Sequence, residues 1–460
     1  MSTRGVNAAG RLDRIPAGSF HWRLFAIVGA GMFFDGFDSY LAASVLGAMT
    51  KSGYSDLAHN AHFVSATFIG MTIGALAAGA MGDRLGRRLS YQVNLLIFGL
   101  ASLAGAFAPS IDWLIAARLI MGIGIGAEVV CGYVMIGEFM PPNQRSRWAG
   151  GLAIITNSAL FVCNTVAVYV IPNFGWRWMF GIVGVGALLV WLMRRGMPES
   201  PRWLESQGRF DEANAVLNRI EAQAARGGML PEAAFVPPVV AAHRPFSDLL
   251  TRVLLARVLV GSMIVIGVSA ALYGFVGWLP TFFVKQGLDV RTSLAFTAAM
   301  TFGSPLGNAS AMWLAERFGR KPTLVVCTLA TAALGLLYPH AGSATEIIAV
   351  GFGVTFFMGV MIGAGWATYV PELFPTELRM RGVGVCNTAG RIVSIVMPYA
   401  VVGLFETWGI SGVVITLASI LVLTALAVAV FGIETRNRTL EELRPENNAN
   451  LRLSVAGHQA

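Results

Sequence analysis

Twelve apolar stretches, each long enough to cross a bilayer as a helix, dominate the chain. They run approximately over 23–49, 61–81, 90–109, 112–136, 147–171 and 176–195, then over 255–283, 292–315, 322–340, 344–368, 382–404 and 409–432. A helix needs about 20 residues to span a hydrocarbon core of ~30 Å. The pattern is six, a polar gap, and six. Charged residues make up 13% of the chain, against about 25% in soluble domains. Mean hydropathy is +0.64. Soluble domains, disorder, collagen and a disulfide scaffold are thereby excluded as the main architecture. The predicted fold is an all-α polytopic membrane protein with 12 transmembrane helices in two six-helix pseudo-repeats. Cys131, Cys163, Cys327 and Cys386 all fall in apolar runs without metal-binding spacing, and read as packing residues. The polar start and long first run predict no cleavable signal sequence.

The net charge of +8 invites a nucleic-acid reading, but the basic residues sit in short clusters between apolar runs. That is how a polytopic protein marks its inner loops, and no basic folded domain with interleaved aromatics exists to hold nucleic acid. With the N-terminus inside, the inner set holds Arg4, Arg11, Arg14, Arg23, Arg84, Arg87, Arg88, Arg145 and Arg147. It continues with the central loop, Arg317, Arg320, Lys321, Arg379, Arg381, Arg436 and Arg438, while the outer set holds only Lys51, Arg177, Lys285 and Arg291. Both termini are therefore predicted to be cytoplasmic. The expected organisation is a cytoplasmic segment 1–22, a six-helix bundle 23–195, a cytoplasmic loop 196–252, a second bundle 253–432 and a tail 433–460. In the loop, Trp203, Phe210, Ala213, Leu217 and Ile220 recur at helical spacing and predict a surface amphipathic helix. The Gly/Pro-punctuated stretch after it reads as linker.

The halves repeat. Gly82-Asp83-Arg84-Leu85-Gly86-Arg87-Arg88 follows span two, and Ala315-Glu316-Arg317-Phe318-Gly319-Arg320-Lys321 follows span eight, at an offset of 233. Glu138-x-x-Pro141-x-x-x-Arg145-x-Arg147 follows span four, and Glu372-x-x-Pro375-x-x-x-Arg379-x-Arg381 follows span ten, at an offset of 234. Two unrelated motifs at almost one offset indicate duplication. Parallel repeats of this kind place a substrate site near the midplane between the halves.

These loops and the 6+6 plan resemble the major facilitator superfamily, over nearly the whole chain. Arg118-Leu-Ile-Met-Gly122 is similar to that superfamily's proton-linked motif. Glu138-x-x-Pro141-x-x-x-Arg145, Pro198-Glu-Ser-Pro-Arg202 and Pro371-Glu372-x-x-Pro375 resemble the sugar-porter branch. Asp35-Gly-Phe-Asp38 resembles the DGxD signature of bacterial aromatic-acid/proton symporters and related metabolite symporters.

A charge inside a span is expensive and by default marks function or pairing. The candidates are Asp35, Asp38, Arg118, Glu128 and Arg391. Asp35 and Asp38, three apart, share a helix face. Asp38 lies about 22 Å from the inner entry of span one, and Arg118 about 9 Å below the outer end of span four, so their depths agree. An Asp38–Arg118 pair is expected. Making and breaking it during a rocking movement would load and release a proton; the sugar-porter resemblance implies the same pair, and a static ion pair is the competing reading. Asp35, near the midplane, could carry the proton instead or bind substrate. Arg391 lies about 14 Å into span eleven, where its guanidinium suits a carboxylate; it could equally pair with Glu128 or snorkel. Glu128, rotated roughly 80° from Arg118, has an open role, structural pairing or inner gating.

The resemblance implies that Asp83, Arg84, Arg87, Arg88, Glu138, Arg145, Glu316, Arg317, Arg320, Glu372 and Arg379 form inter-helix ion pairs of a cytoplasmic gate; topology alone also explains the basic ones. Phe34, Phe37, Tyr40, Tyr273, Trp278, Trp366 and Tyr369 are expected as cavity-lining aromatics, with packing as the alternative for any single ring. Asn157, Asn164 and Asn387 are polar spanning residues that could bind substrate or bridge helices. Gly122, Gly124 and Gly126 follow no strand, so they read as helix-packing glycines and not as a dinucleotide site. No P-loop, catalytic triad or metal motif appears, and no cofactor is expected. The function expected is proton-coupled symport of a small organic acid in a bacterial inner membrane, by a monomer; a sugar or polyol symporter, an exporter and a transporter-like sensor are the alternatives.

Overall fold

The computed structural model describes residues 6–141, 144–225, 229–235, 246–374 and 378–436. Arg4, Pro375, Arg438 and the tail from 437 lie outside the described residues, as does the side chain of Asp83. Every regular element among the described residues is helical.

The first six spans are Ser19–Lys51, Leu57–Leu85, Arg87–Ala106, Ile111–Phe139, Arg145–Phe174 and Arg177–Met193. Span seven, Arg252–Ala270, continues through a π-helical turn at Ala271–Phe275 to Leu279–Lys285. Span eight is Val290–Thr301 and Gly303–Phe318, joined through Phe302, whose φ of -61° and ψ of -24° stay helical. Span nine is Arg320–Leu337, and span ten runs from Ala344–Val360 through a π-helical stretch Met361–Tyr369. Spans eleven and twelve form one run, Arg379–Phe431, bent at Gly409, whose φ of 64° leaves the helical region. The sequence places the end of span eleven at 404 and the start of span twelve at 409, which agrees with this bend. Side-chain caps start several helices: Ser110 accepts from the Trp113 N–H, and Ser343 forms a reciprocal capping box with Glu346.

Glycines set the closest helix approaches. A Cβ on Gly70, Gly74, Gly122 or Gly126 would overlap backbone of the facing helix in spans two and four; Gly303, Gly307 and Gly359 repeat this between spans eight and ten. Backbones that touch gain dispersion contacts where lipid offers no hydrophobic drive between helices.

The chain divides into two units. One contains Met1–Val45, His62–Cys163 and Val170–Val239; the other contains Leu46–Ala61, Asn164–Tyr169 and Val240–Ala460. In the first unit the polar loop folds onto the N-terminal segment. The stretch expected as one amphipathic helix is two, Pro201–Ser206 and Phe210–Ala224, because Gly208 takes a φ of 73° between them. Their apolar stripe is buried rather than lying on a surface: Leu217 and Ile220 share a cluster with Ala8 and Leu12 of a short helix at Ala8–Asp13, and Trp203 and Ala213 pack in a second cluster with Leu204. Arg11 and Arg14 both pair with Glu221, at 2.6 and 2.7 Å.

Candidate functional site

Span one presents Asp35 and Asp38 on one face of a long apolar helix, and both carboxylates are buried. Arg118 of span four meets Asp38: its Nη1 donates to Asp38 Oδ2 at 2.6 Å, and the side chains are 1% and 0% exposed. The remaining donors are also used. Nε donates to Thr67 Oγ1 at 3.0 Å and Nη2 to the Asp38 carbonyl at 3.3 Å. The guanidinium lies over the Phe63 ring at 4.8 Å. A charge-assisted bond in an apolar setting of this kind is short and strong.

Glu128 lies elsewhere, as its rotation around span four requires. Its partner is Arg194, at the end of span six, with Arg194 Nη2 and Glu128 Oε1 2.5 Å apart and both side chains fully buried. Arg391, considered from sequence as a partner for Glu128, belongs to the other unit. Arg194 Nη2 also donates to the Tyr91 hydroxyl at 3.1 Å, and its guanidinium stacks over that ring at 3.8 Å. A Cβ on Gly31, one turn before Asp35, would overlap the Arg194 guanidinium and crowd Glu128 Oε1. Asp35 interacts electrostatically with Glu128, Arg194 and Asp38, yet neither of its carboxylate oxygens has a hydrogen-bond partner among the described residues. Among the described residues, the spans of this unit therefore bury three carboxylates, Asp35, Asp38 and Glu128, against two guanidinium groups, Arg118 and Arg194. One carboxylate is in excess, and Asp35 is the one left without a partner.

Of the other predicted residues in this unit, Phe37 is buried 6.1 Å from the Phe33 ring. The Tyr40 hydroxyl reaches Asn157 Oδ1 at 3.5 Å, and Asn157 Nδ2 donates to the Ala153 carbonyl. In the second unit Arg391 and Tyr273 are electrostatic neighbours. Trp366 Nε1 donates to Asn387 Oδ1 at 2.7 Å. Trp278 is buried and stacks on Phe282. Asn164 Nδ2 reaches Thr301 Oγ1 at 3.5 Å. Tyr369 departs from the aromatic set: its hydroxyl donates to the Ile433 carbonyl, tying span ten to the chain after span twelve.

The predicted gate residues gather at the arginine-rich ends, each set within its own half. Arg87 Nε meets Glu138 Oε1 at 3.2 Å, and Arg320 Nε lies 3.6 Å from Glu372 Oε2. Glu199 accepts from the Arg87 and Arg88 backbone N–H groups, and Glu434 from those of Arg320 and Lys321. These carboxylates sit at helix N-termini, where orphan N–H groups attract an anion. Arg88 Nη2 reaches the Arg195 carbonyl, and Arg145 reaches Asp13, which Arg202 also holds. Arg84, Glu316 and Arg317 are exposed, and Arg379 is partly buried. Glu199 and Glu434 escaped the sequence reading, although each follows the last span of its half. Arg194 was not among the candidates: it stands at the very end of span six, where a charge usually meets water. Arg257 in span seven was missed as well; it is buried, with Nη1 on the Leu373 carbonyl and Nε and Nη2 unmatched.

Residues 23–446 match the family described as "Sugar (and other) transporter". The chain belongs to this family of major facilitator transporters. The transporter is 36% identical over 447 residues to the inner membrane metabolite transport protein YdjE of Escherichia coli (strain K12), which covers 95% of this chain and 98% of that protein. It is 32% identical to the niacin transporter NiaP of Acinetobacter baylyi, over 95% of this chain and 100% of the relative. Its fold matches the crystal structure of a D-xylose-proton symporter with a TM-score of 0.72 at 18% identity, covering 92% of this chain and 100% of that one. The transporter is thus a multi-span membrane protein related to bacterial inner-membrane metabolite transporters.

Proposed function

We propose that the transporter couples uptake of a small organic acid, an aromatic or related carboxylate, to the entry of a proton. The observation that carries this reading is the surplus carboxylate in span one. A buried ionised carboxylate without a partner is costly, and a proton removes the cost. Asp35 is thereby the proton carrier, and Asp38–Arg118 the adjacent ion pair whose making and breaking follows the movement of the helices. A site that binds and releases a proton as the protein alternates in access is what coupling requires.

Arg391, beside Tyr273, is assigned to the substrate carboxylate, because a guanidinium holds a carboxylate in two parallel bonds. Phe37, Tyr40, Trp278 and Trp366 supply flat apolar contact; Asn157 and Asn387 supply hydrogen bonds to substrate. Niacin, named for one relative, is an aromatic carboxylate of this class. The ion pairs at the arginine-rich ends act as the cytoplasmic gate, and the transporter works as a monomer with both termini inside. A proton/sugar or polyol symporter is the second reading. It is favoured by the neutral hydrogen-bonding pairs Tyr40–Asn157 and Trp366–Asn387.

The test uses purified protein in liposomes enclosing a pH-sensitive dye, given a panel of aromatic and aliphatic carboxylates, sugars and polyols. Internal acidification on adding a carboxylate, lost in Arg391→Ala, is the expected result. Acidification by a sugar alone replaces this reading with the second one. Substrate flux with no proton movement leaves a facilitator and sinks both.

A further inference from the structure

The ion pair between Glu128 and Arg194 is buried as deeply as that between Asp38 and Arg118, yet it is poorly satisfied. Arg194 Nη2 and Tyr91 approach Glu128, but Arg194 Nε and Nη1 have no acceptor among the described residues. Asp35 presents the complementary deficit, two acceptor oxygens without a donor. Gly31 and Asp35 lie four residues apart on one helix face, about 6 Å along the axis. Because Gly31 has no side chain, the guanidinium lies against the backbone of span one just below Asp35.

We propose that Asp35, Glu128 and Arg194 form one proton-binding site, in which Arg194 is shared between two carboxylates and the proton occupies whichever of them it leaves. With the proton on Asp35, Arg194 rests on Glu128 and Tyr91, as observed. When the proton leaves, the free donors of Arg194 turn to Asp35 and draw span six toward span one. The exchange costs little, since the guanidinium keeps a carboxylate at every stage. The titratable and charged groups that interact with this site are Asp38 from span one, Tyr91 from span three and Cys131 from span four, with Arg87 from the start of span three reaching Cys131. This inference rests on the proton-coupled reading above and adds to it that coupling follows the count of buried charges.

The count gives the test. Proteoliposomes with an internal pH dye report proton entry per substrate, and thermal unfolding in detergent scores folding. Glu128→Gln leaves two carboxylates against two guanidinium groups, so proton entry is expected to fall to background, as in Asp35→Asn. The double variant Glu128→Gln/Arg194→Gln returns one carboxylate in excess, so proton entry is expected to return. A merely structural ion pair also predicts rescue by the double variant, but of stability: Glu128→Gln would then lose proton entry only as far as it unfolds, whereas a folded Glu128→Gln without proton entry requires the charge count. Wild-type proton entry in Glu128→Gln, or a folded double variant without proton entry, overturns the proposal. If the double variant does not fold, Arg194→Lys decides. It keeps the charge count, so proton entry persists if the proposal holds; its loss in a folded protein overturns it. Absence of proton entry in the wild type instead removes the proton-coupled reading itself.

Discussion

Arg118 shows how much one residue can carry in an apolar interior. Its donors go to Asp38, Thr67 and backbone, and removing the partner strands a charge. Arg118→Leu is expected to destabilise the protein by about 3–5 kcal/mol, the usual cost of an uncompensated buried charge. Asp38→Leu/Arg118→Leu should recover most of that loss, because neither charge then remains. Thermal unfolding in detergent measures both. Gly86 and Gly319 make a second residue-scale prediction. Their φ values of 95° and 98°, with ψ of 160° and 154°, lie in a region nearly closed to other residues, and a Cβ there would overlap Glu199 or Glu434. Alanine at either position should cost about 1–3 kcal/mol. Gly150→Ala, in a helix with nothing within 4 Å, should leave the unfolding temperature unchanged or slightly raised. Counting helical rise was enough to bring Asp38 and Arg118 to one depth. It could not separate Arg194 from Arg195, because adjacent residues point about 100° apart and only packing shows which turns inward. Arg194 turns in over Tyr91, while Arg195 lies over Trp191 at 4.4 Å.

Among the elements, the helix at Ala8–Asp13 is held to the loop helices by the buried contacts of Ala8 and Leu12 and by an ion-pair clamp on Glu221. Burial pushes the Glu221 carboxyl up, but the hydrogen bonds from Arg11 and Arg14 outweigh it and leave Glu221 below its ordinary 4.5. A depressed carboxylate contributes stability that is complete above its unfolded value and is lost as pH falls through the folded one. The clamp should therefore hold at neutral pH and loosen progressively below 4.5. Pepsin cleavage near residues 8–13 should rise over that range, and Glu221→Gln should admit a neutral protease at pH 7. Equal protection of wild type and Glu221→Gln would contradict it. The short N-terminal helix was invisible in the sequence, since six residues carry too little periodicity to mark one. The spans were legible because each repeats the same apolar signal for about 20 residues. The break at Gly409 falls where the sequence ends one apolar run and begins the next; the π-helical stretches at Ala271–Phe275 and Met361–Tyr369 were not legible, because local propensity says little about where packing rewinds a helix.

Across the whole molecule, the duplication seen in two loop motifs extends to structure that no motif announced. Glu199 and Glu434 cap the same helix starts in the two halves, and glycines touch backbone at matching places in spans two and four, and eight and ten. The buried charges break that symmetry. Among the described residues the first unit holds three carboxylates and two guanidinium groups at depth, while the second holds no buried carboxylate but carries Arg257 on the Leu373 carbonyl and Arg391 beside Tyr273. This asymmetry supports a division of labour, the first unit holding the proton and the second the anion. The most direct measurement is accumulation of a carboxylate substrate in proteoliposomes under an imposed proton gradient, comparing wild type with Asp35→Asn. The wild type should concentrate substrate above the external level, and Asp35→Asn should stop at equilibrium whatever the gradient. Accumulation by Asp35→Asn to the wild-type level would contradict the assignment of the proton to the surplus carboxylate.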